Sequence, residues 1–154
     1  MSLKGCFYFK ALCSFYSTQW EFHSFHGFAK FRNLTSLGLS SCGLNGTFPE
    51  KMFKVLTLQM LDLSYNKLLQ GSLPEFLPNS SLRSLLLSGT KFSGALPGSI
   101  GNLKMLSTID LFGCNFSGSI PNSMANLTRL FWTCRPISST DRFHHSAWPR
   151  IWQR

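Results

Sequence analysis

A short pattern of apolar and polar positions recurs four times along the central part of this 154-residue chain. Each unit opens with the arrangement L-x-x-L/I-x-L, and the openings at Leu34, Leu58, Leu82 and Leu106 follow a constant 24-residue period. Within the unit, the last two apolar residues are separated by one position, which is the period of a short β-strand. A single strand cannot bury an apolar side alone. The repeat therefore predicts coils stacked about 5 Å apart, whose strands form a parallel sheet over one continuous core.

Four further columns follow the strand in every unit, in the order turn residue, apolar residue, glycine and proline. They are Cys42, Asn66, Thr90 and Cys114; Leu44, Leu68, Phe92 and Phe116; Gly46, Gly71, Gly94 and Gly118; and Pro49, Pro74, Pro97 and Pro121. The second unit gains one residue before its glycine and loses one after its proline, so its total length is unchanged. We expect such a compensated change in a coil of fixed rise. The segments 99–103 and 123–127 favour short helical turns on the outer face.

These columns predict an α/β solenoid of about four 24-residue coils, with a short parallel sheet on its concave face. The coils are residues 34–57, 58–81, 82–105 and 106–129. The flanking segments 1–33 and 130–154 lack the period. A fifth unit from Leu130 would need apolar residues where Thr133 and Arg135 stand. We interpret both ends as degenerate or non-native sequence, such as a frameshift would produce; the alternative is a divergent cap at each end, because terminal repeats are often atypical.

The composition supports a folded central part with basic ends. With 44% apolar and 14% charged residues, the chain is not a disordered one. The net charge is +9, and segments 1–33 and 130–154 each contribute +3 (four basic residues against one acidic), as does the much longer 34–129 (seven against four). The basic charge at the ends is diffuse, so we predict no nucleic-acid partner. We expect no signal peptide, because Lys10 interrupts the first apolar stretch, and no membrane span, because no apolar run reaches about 18 residues.

The repeat unit, with its glycine and proline columns, resembles the plant extracellular class of leucine-rich repeat over residues 34–129. Three segments are similar in sequence to plant receptor-like proteins of the disease-resistance type, namely LTSLGLSSCGLNGTFPE, LDLSYNKLLQGSLPEF and GCNFSGSIPNSMANLT. The resemblance implies a truncated ligand-recognition module of a receptor that, at full length, lies on the extracellular side of the plasma membrane and takes part in pathogen perception and defence signalling. It implies a protein, peptide or glycan ligand, and a co-receptor kinase as partner of the full-length protein.

Two alternatives stay open. The same repeat occurs in secreted plant inhibitors of fungal cell-wall hydrolases, and a truncated gene product without function would carry the same columns. An enzyme is not expected, because the chain has no glycine-rich phosphate loop, no kinase catalytic loop and no serine elbow.

The outward positions of the strands and of the turns after them form the predicted recognition surface. They are Ser36, Gly38, Ser40 and Ser41; Met60, Asp62, Ser64 and Tyr65; Ser84, Leu86, Ser88 and Gly89; and Thr108, Asp110, Phe112 and Gly113. Most are small, and the candidate ligand contacts are Asp62, Tyr65, Asp110 and Phe112. The alternative for the two aspartates is that they only solvate the sheet.

Five N-x-S/T sequons occur, against about 1.5 expected from the composition, which favours a secretory route. The candidate glycosylation sites are Asn33, Asn45, Asn79, Asn115 and Asn126. Asn79 and Asn126 are the best candidates because they are expected on outer loops. Asn115 is the poorest, because it adjoins the turn column.

The cysteines and histidines predict no metal or cofactor site. Cys42 and Cys114 are three coils, or about 15 Å, apart, which is too far for a disulfide between them, so we predict two buried free thiols. The remaining combinations of metal-ligating types are Cys13, His23 and His26, and His144 with His145. Neither combination has the paired Cys-x-x-Cys spacing of a structural zinc site.

Overall fold

The computed structural model describes residues 7–8 and 33–132. Within these residues the chain forms ten short strands and three 3₁₀ helices. The strands are β1 (Phe7–Tyr8), β2 (Ser36–Gly38), β3 (Asn45–Thr47), β4 (Met60–Asp62), β5 (Leu68–Gly71), β6 (Ser84–Leu86), β7 (Lys91–Gly94), β8 (Thr108–Asp110), β9 (Asn115–Phe116) and β10 (Phe131–Trp132). The 3₁₀ helices are Glu50–Lys54, Gly98–Asn102 and Asn122–Asn126.

Strands β1, β2, β4, β6, β8 and β10 form a first, six-stranded parallel sheet. Ser36 pairs with Met60, Met60 with Ser84, and Ser84 with Thr108. Each partner lies one full repeat period further along the chain, so the insertion and the deletion in the second coil cancel as predicted. The predicted solenoid of stacked coils is confirmed.

The core lies behind this sheet and runs through all four coils. Four side chains from paired strand positions are at most 1% exposed: Leu37, Leu61, Leu85 and Ile109. The same cluster contains an aromatic group in which the Phe53 ring lies 5.4 Å from that of Phe48 and 6.2 Å from those of Phe76 and Phe92, between centroids. Since each coil supplies only part of this core, its stability depends on its neighbours.

Strands β3, β5, β7 and β9 form a second parallel sheet, which the sequence analysis did not predict. Its register is irregular. Three of its pairs are Asn45–Leu68, Gln70–Lys91 and Ser93–Asn115, and the numbers of the two partners differ by 23, 21 and 22 respectively. The part of each coil after the turn column is therefore extended and paired, but without a fixed period.

The extra residue of the second coil lies in the turn, and this corrects the apolar column. Leu68 was predicted in that column, but its side chain is 54% exposed, whereas Leu69 is fully buried. The Leu69 amide donates to the Asn66 carbonyl at 3.0 Å. This wider turn carries Lys67 and Leu68 outward and puts Leu69 in the core.

The glycine column has two physical causes. Gly46, Gly94 and Gly118 adopt φ of 77°, 91° and 87°, a region that side chains disfavour. Gly71 does not, but a Cβ on Gly71 would lie 2.9 Å from Cε1 of Phe92. At this position glycine is needed because the buried ring occupies the space of a side chain.

The predicted helical turns on the outer face are present as 3₁₀ helices. Each begins directly after a residue of the proline column, namely Pro49, Pro97 or Pro121. Proline is well suited to this position, because its fixed φ is compatible with helix entry and the first N–H groups have no helical partner. The second coil, which is one residue shorter after Pro74, has no helix at this place.

One strand continues the first sheet on each side of the four coils. In β1, Phe7 pairs with Leu37, and in β10, Trp132 pairs with Ile109. The distance along the chain from Phe7 to Leu37 is six positions longer than the repeat period, and that from Ile109 to Trp132 is one position shorter. A fifth strand therefore follows Leu130 after all, one position earlier than the period requires. The interpretation of 1–33 and 130–154 as degenerate or non-native sequence stays a prediction.

Candidate ligand-binding surface

The turn after β4 is held by a buried asparagine that joins the first coil to the second. The Asn66 Oδ1 accepts hydrogen bonds from the amides of Cys42 and Leu44, both at 3.0 Å. Its Nδ2 donates to the carbonyls of Leu63 at 2.7 Å and Leu39 at 2.9 Å. The side chain is fully buried, so these bonds satisfy backbone groups that have no access to water. The turn is thereby rigid where it presents its outward residues.

The outward side of β2, β4, β6 and β8, with the turns after them, is called the open face here. Its central row runs from Asp62 through Leu86 to Asp110, which are paired across β4, β6 and β8. Two strand spacings separate the aspartates, or about 10 Å between their Cα atoms. All three side chains are half-buried.

Each aspartate also shapes the turn that follows it. The Asp62 Oδ1 accepts from the Ser64 amide at 3.0 Å, and the Asp110 Oδ1 accepts from the Phe112 amide at 3.0 Å. This is the local capping that Asp side chains make two residues on. The carboxylates therefore have a structural task, and the bond also fixes the direction of each carboxylate on the open face.

The two aromatic candidates lie in the turns at the end of the open face. Tyr65 is 65% exposed and Phe112 is 46% exposed. Tyr65 has a left-handed backbone, with φ of 58°, which costs a non-glycine residue about 1 kcal/mol. A Cβ on Gly89 of the next coil would lie 3.4 Å from Cδ1 of Tyr65. The ring therefore lies against the backbone of the next coil, and glycine there gives it room.

Several positions predicted on the open face are not available to a ligand. Ser36, Ser64 and Ser88 are 6%, 4% and 2% exposed, and Gly38 is also buried. For Ser64 and Ser88 the error arises because the chain turns inward after the strand, so that strict alternation ends at the last strand residue; Ser36 and Gly38 lie within β2 itself, all three residues of which are buried. Among the outward residues, Met60 and Leu86 are half-buried apolar contacts that the sequence analysis did not single out. An apolar residue at an outward strand position was the signal that could have found them.

The two cysteines of the turn column differ. Cys114 is a free thiol, as predicted, but it is half-buried and not fully buried. Its Sγ donates to the Leu87 carbonyl at 3.1 Å and lies 3.5 Å from Thr90 Oγ1. Burial raises the pKa of Cys114 above the ordinary 9.0, while the hydrogen bond with Thr90 acts in the opposite direction. Cys42 is disulfide-bonded, to a partner outside the described residues, so the prediction of a free thiol is wrong there. The repeat spacing excluded only a disulfide between Cys42 and Cys114. It gave no information on pairing with a cysteine outside the repeats.

All five sequon asparagines lie within the described residues. The exposed ones are Asn33, Asn79, Asn115 and Asn126, and Asn45 is half-buried at the start of β3. None lies on the open face, so glycans at these positions would leave it accessible. Glycan attachment itself stays a prediction.

The remaining candidates for chemistry lie elsewhere. Cys13, His23, His26, His144 and His145 are outside the described residues. Within residues 33–132, no group of three or more metal-ligating side chains is assembled. In the same part of the chain, no helix has the length and apolar character that crossing a bilayer requires.

A parallel-sheet solenoid with an open face of outward side chains defines a class of protein that docks its ligands along the sheet. Two leucine-rich-repeat family models match the chain, at residues 32–92 and 105–127. Receptor-like protein 6 of Arabidopsis thaliana is 44% identical over 79 residues, which are 51% of this chain and 8% of that protein. The chain thus spans less than a tenth of the length of this relative.

Solved structures with a similar fold also include plant receptors. The plant peptide hormone receptor RGFR1 in complex with RGF2 matches with a TM-score of 0.60 and 38% identity, over 64% of this chain and 16% of that one. The Arabidopsis receptor kinase HAESA, in complex with the peptide hormone IDA and the co-receptor SERK1, matches with a TM-score of 0.63 and 33% identity, over 68% and 17%. The chain belongs to the leucine-rich-repeat family, and its repeats are those of plant extracellular receptor-like proteins.

Proposed function

We propose that this chain is a ligand-recognition module of a plant cell-surface receptor-like protein, and that it binds an extended peptide along its open face. One observation carries the proposal: two exposed aromatic side chains, Tyr65 and Phe112, lie in the turns of one sheet face. Aromatic side chains that are large and already ordered are the typical anchors of protein interfaces, because little entropy is lost when they bind. No catalytic step is part of this proposal.

The likeness to peptide-hormone receptors supports the class of ligand. RGFR1 and HAESA are both solved with peptides. An extended peptide of about four residues covers the three strands β4, β6 and β8, because two spacings of about 4.8 Å are matched by about 3.3 Å per residue. The open face is thus large enough for a short linear segment but small for a folded protein.

The binding test uses a phage-displayed library of random linear peptides, selected against the purified full chain. We expect the double substitution Tyr65→Ala with Phe112→Ala to lower the affinity of selected peptides about tenfold or more, since buried aromatic anchors contribute about 2 kcal/mol or more. The matched control is Leu77→Ala, which removes an exposed apolar side chain away from the open face. Equal binding by the two variants would contradict the proposal.

The proposed setting is pathogen perception on the extracellular side of the plasma membrane, with a co-receptor kinase. It is supported by the 44% identity to receptor-like protein 6 and by the presence of the co-receptor SERK1 in the HAESA complex. The test is to express the chain with an added secretion leader in leaf cells and to apply a fungal wall hydrolysate. We expect an oxidative burst that requires Tyr65 and Phe112. Loss of wall-hydrolase activity in a fungal culture filtrate mixed with the purified chain, without a burst in the leaf cells, would instead favour the secreted inhibitor.

A further inference from the structure

The open face carries the opposite charge to the rest of the chain. Between residues 34 and 129 there are seven basic and four acidic side chains, and the whole chain has a net charge of +9. The outward positions of β2, β4, β6, β8 and their turns contain two acids, Asp62 and Asp110, and no Lys or Arg. The seven basic residues lie elsewhere in the coils: Lys51, Lys54, Lys67, Arg83, Lys91, Lys104 and Arg129. The composition alone suggests an anionic ligand, whereas this face does not.

The carboxylates are directed and retain acceptor capacity. Each makes one hydrogen bond through Oδ1 to a backbone amide two residues further on, at 3.0 Å. A carboxylate has two oxygens with about four acceptor sites, so this bond leaves room for a charged donor from a ligand. Asp62 and Asp110 are half-buried, where screening by salt is weaker than at a fully exposed charge.

Each carboxylate belongs to a coil that also presents an aromatic ring. Asp62 is followed by Tyr65 in the second coil, and Asp110 is followed by Phe112 in the fourth. Between them, the third coil presents Leu86, with a glycine at its turn. The face therefore alternates acid with aromatic, then aliphatic, then acid with aromatic again.

This order of groups matches a long basic side chain. Lys and Arg have an aliphatic stem that packs on apolar surface and a charged head that needs an acceptor. Arg and Lys also bind favourably over aromatic faces. An aliphatic side chain would use only the apolar surface, and an acidic one would be repelled by the two carboxylates.

We infer that the open face selects a peptide with a basic side chain, whose cation binds the carboxylate of Asp62 or of Asp110 while its stem packs on Leu86 and on the ring of the same coil, Tyr65 or Phe112. The inference rests on the proposed function and adds the chemistry of the ligand. It places a cation-binding centre on a strongly basic chain.

The test uses the same phage-displayed library and full-length chain, in buffer of near-physiological ionic strength. We expect Lys and Arg to be enriched among the selected peptides, and replacement of the enriched basic residue by Gln to lower affinity about tenfold. The double substitution Asp62→Asn with Asp110→Asn keeps an oxygen acceptor for the Ser64 and Phe112 amides and removes both charges. It should lower affinity by a similar factor.

A double-mutant cycle then separates direct contact from a general charge effect. With the Gln peptide, the Asp62→Asn and Asp110→Asn chain should lose little further affinity, because the interacting pair is already absent. Glu75→Gln is the matched control, since Glu75 is an exposed acid off the open face. It should leave affinity unchanged.

The outcomes distinguish this inference from the proposed function. Selected peptides that are neutral or acidic, and whose binding depends on Tyr65 and Phe112, would overturn the cation selectivity and leave the peptide-binding proposal intact. Basic peptides that bind Asp62→Asn with Asp110→Asn as tightly as the parent would also overturn it. Failure to select any peptide that depends on the open face would overturn both.

Discussion

The two sheets of the solenoid arise from the same coils but obey different rules. In the first sheet, every pair from β2 to β8 keeps the same separation, one full 24-residue period. In the second sheet, the separation between partners takes three different values. The first sheet buries one side of each strand in the core, so a slip of one residue would turn Leu37, Leu61 or Leu85 outward. In the second sheet, β5, β7 and β9 each bury a single apolar side chain, Leu69, Phe92 or Phe116, and the turn before β5 is longer without turning Leu69 out of the core.

The difference shows where a repeat tolerates change. The extra residue of the second coil is absorbed by Lys67 and Leu68, which are exposed, and is compensated after Pro74. Burial of the strand leucines thus keeps the register of the first sheet constant. The turn column (Cys42, Asn66, Thr90 and Cys114) lies between the two sheets and is called the joint, because the pairing register is constant before it and variable after it. The following predictions test this division.

The largest effect is expected from deleting one residue within the first sheet. Removal of Met60 would bring Gln59 into β4 and force either Leu58 out of the core or the alternation of β4 to reverse. We expect loss of cooperative unfolding, measured by urea titration with circular dichroism. The matched control is deletion of Lys67, which lies in the turn that leads to the second sheet, and this variant should keep a cooperative unfolding transition. Equal tolerance of both deletions would show that the two sheets do not differ as described.

The next largest effect is expected at the joint. Asn66→Ala leaves the amides of Cys42 and Leu44 and the carbonyl of Leu39 without their buried partner. We expect a loss of about 3 kcal/mol in the free energy of unfolding, since each unsatisfied buried group costs about 1–3 kcal/mol. Thr90→Ala at the same column should cost less, because the shorter side chain mainly bonds its own coil, to the Leu87 carbonyl at 2.7 Å. A larger loss at Thr90 than at Asn66 would contradict this ranking.

A moderate effect is expected in the second sheet from Gly71→Ala. The new Cβ would lie 2.9 Å from the Phe92 ring, which is fully buried beside Phe48 and Phe53 and has little room to move. Overpacking of this kind costs about 1–3 kcal/mol. Gly98→Ala is the control, because nothing lies within 4 Å of its Cβ, and it should change the unfolding free energy by less than about 1 kcal/mol. Equal values would argue against a tight contact at Gly71.

The smallest effect concerns alkaline pH and Cys114. Burial raises the pKa of this thiol above 9.0. The unfolded chain therefore loses the proton first as the pH rises, and the folded state is destabilised progressively above pH 9. Below pH 9, the contribution is fully present. Unfolding titrations at pH 8 and pH 10 should show a slightly steeper loss for the parent than for Cys114→Ser, and an identical loss in both would refute the assignment.

Much of the fold follows from the columns. Leu37, Leu61, Leu85 and Ile109 are buried as predicted because each strand needs its neighbours to bury an apolar side. The second sheet was not predicted, since β3, β5, β7 and β9 hold at most one buried residue each, which is too few for a strand period to show in the sequence. The burial of Leu69 in place of Leu68 was not predicted either, because two adjacent leucines do not show which of them the turn directs into the core.

The candidate surface was predicted only in part. Tyr65 and Phe112 are exposed as expected, because both lie in turns at outward positions. The half-buried state of Asp62 and Asp110, their bonds to Ser64 and Phe112, and the burial of Ser64 and Ser88 depend on how each turn bends. The aligned positions of the repeats do not show how each turn bends.

Periodicity alone determined that the chain is a stacked coil, how long each turn of it is, and which strand positions are in the core. It could do so because burial of one face repeats with the strand period and the coil length. The three-dimensional structure alone decided which turn residue is buried, that Cys42 is paired while Cys114 is free, and that each aspartate of the open face bonds an amide of the turn that follows it. Those properties arise from contacts within and between coils, where small differences in turn shape change which atoms meet.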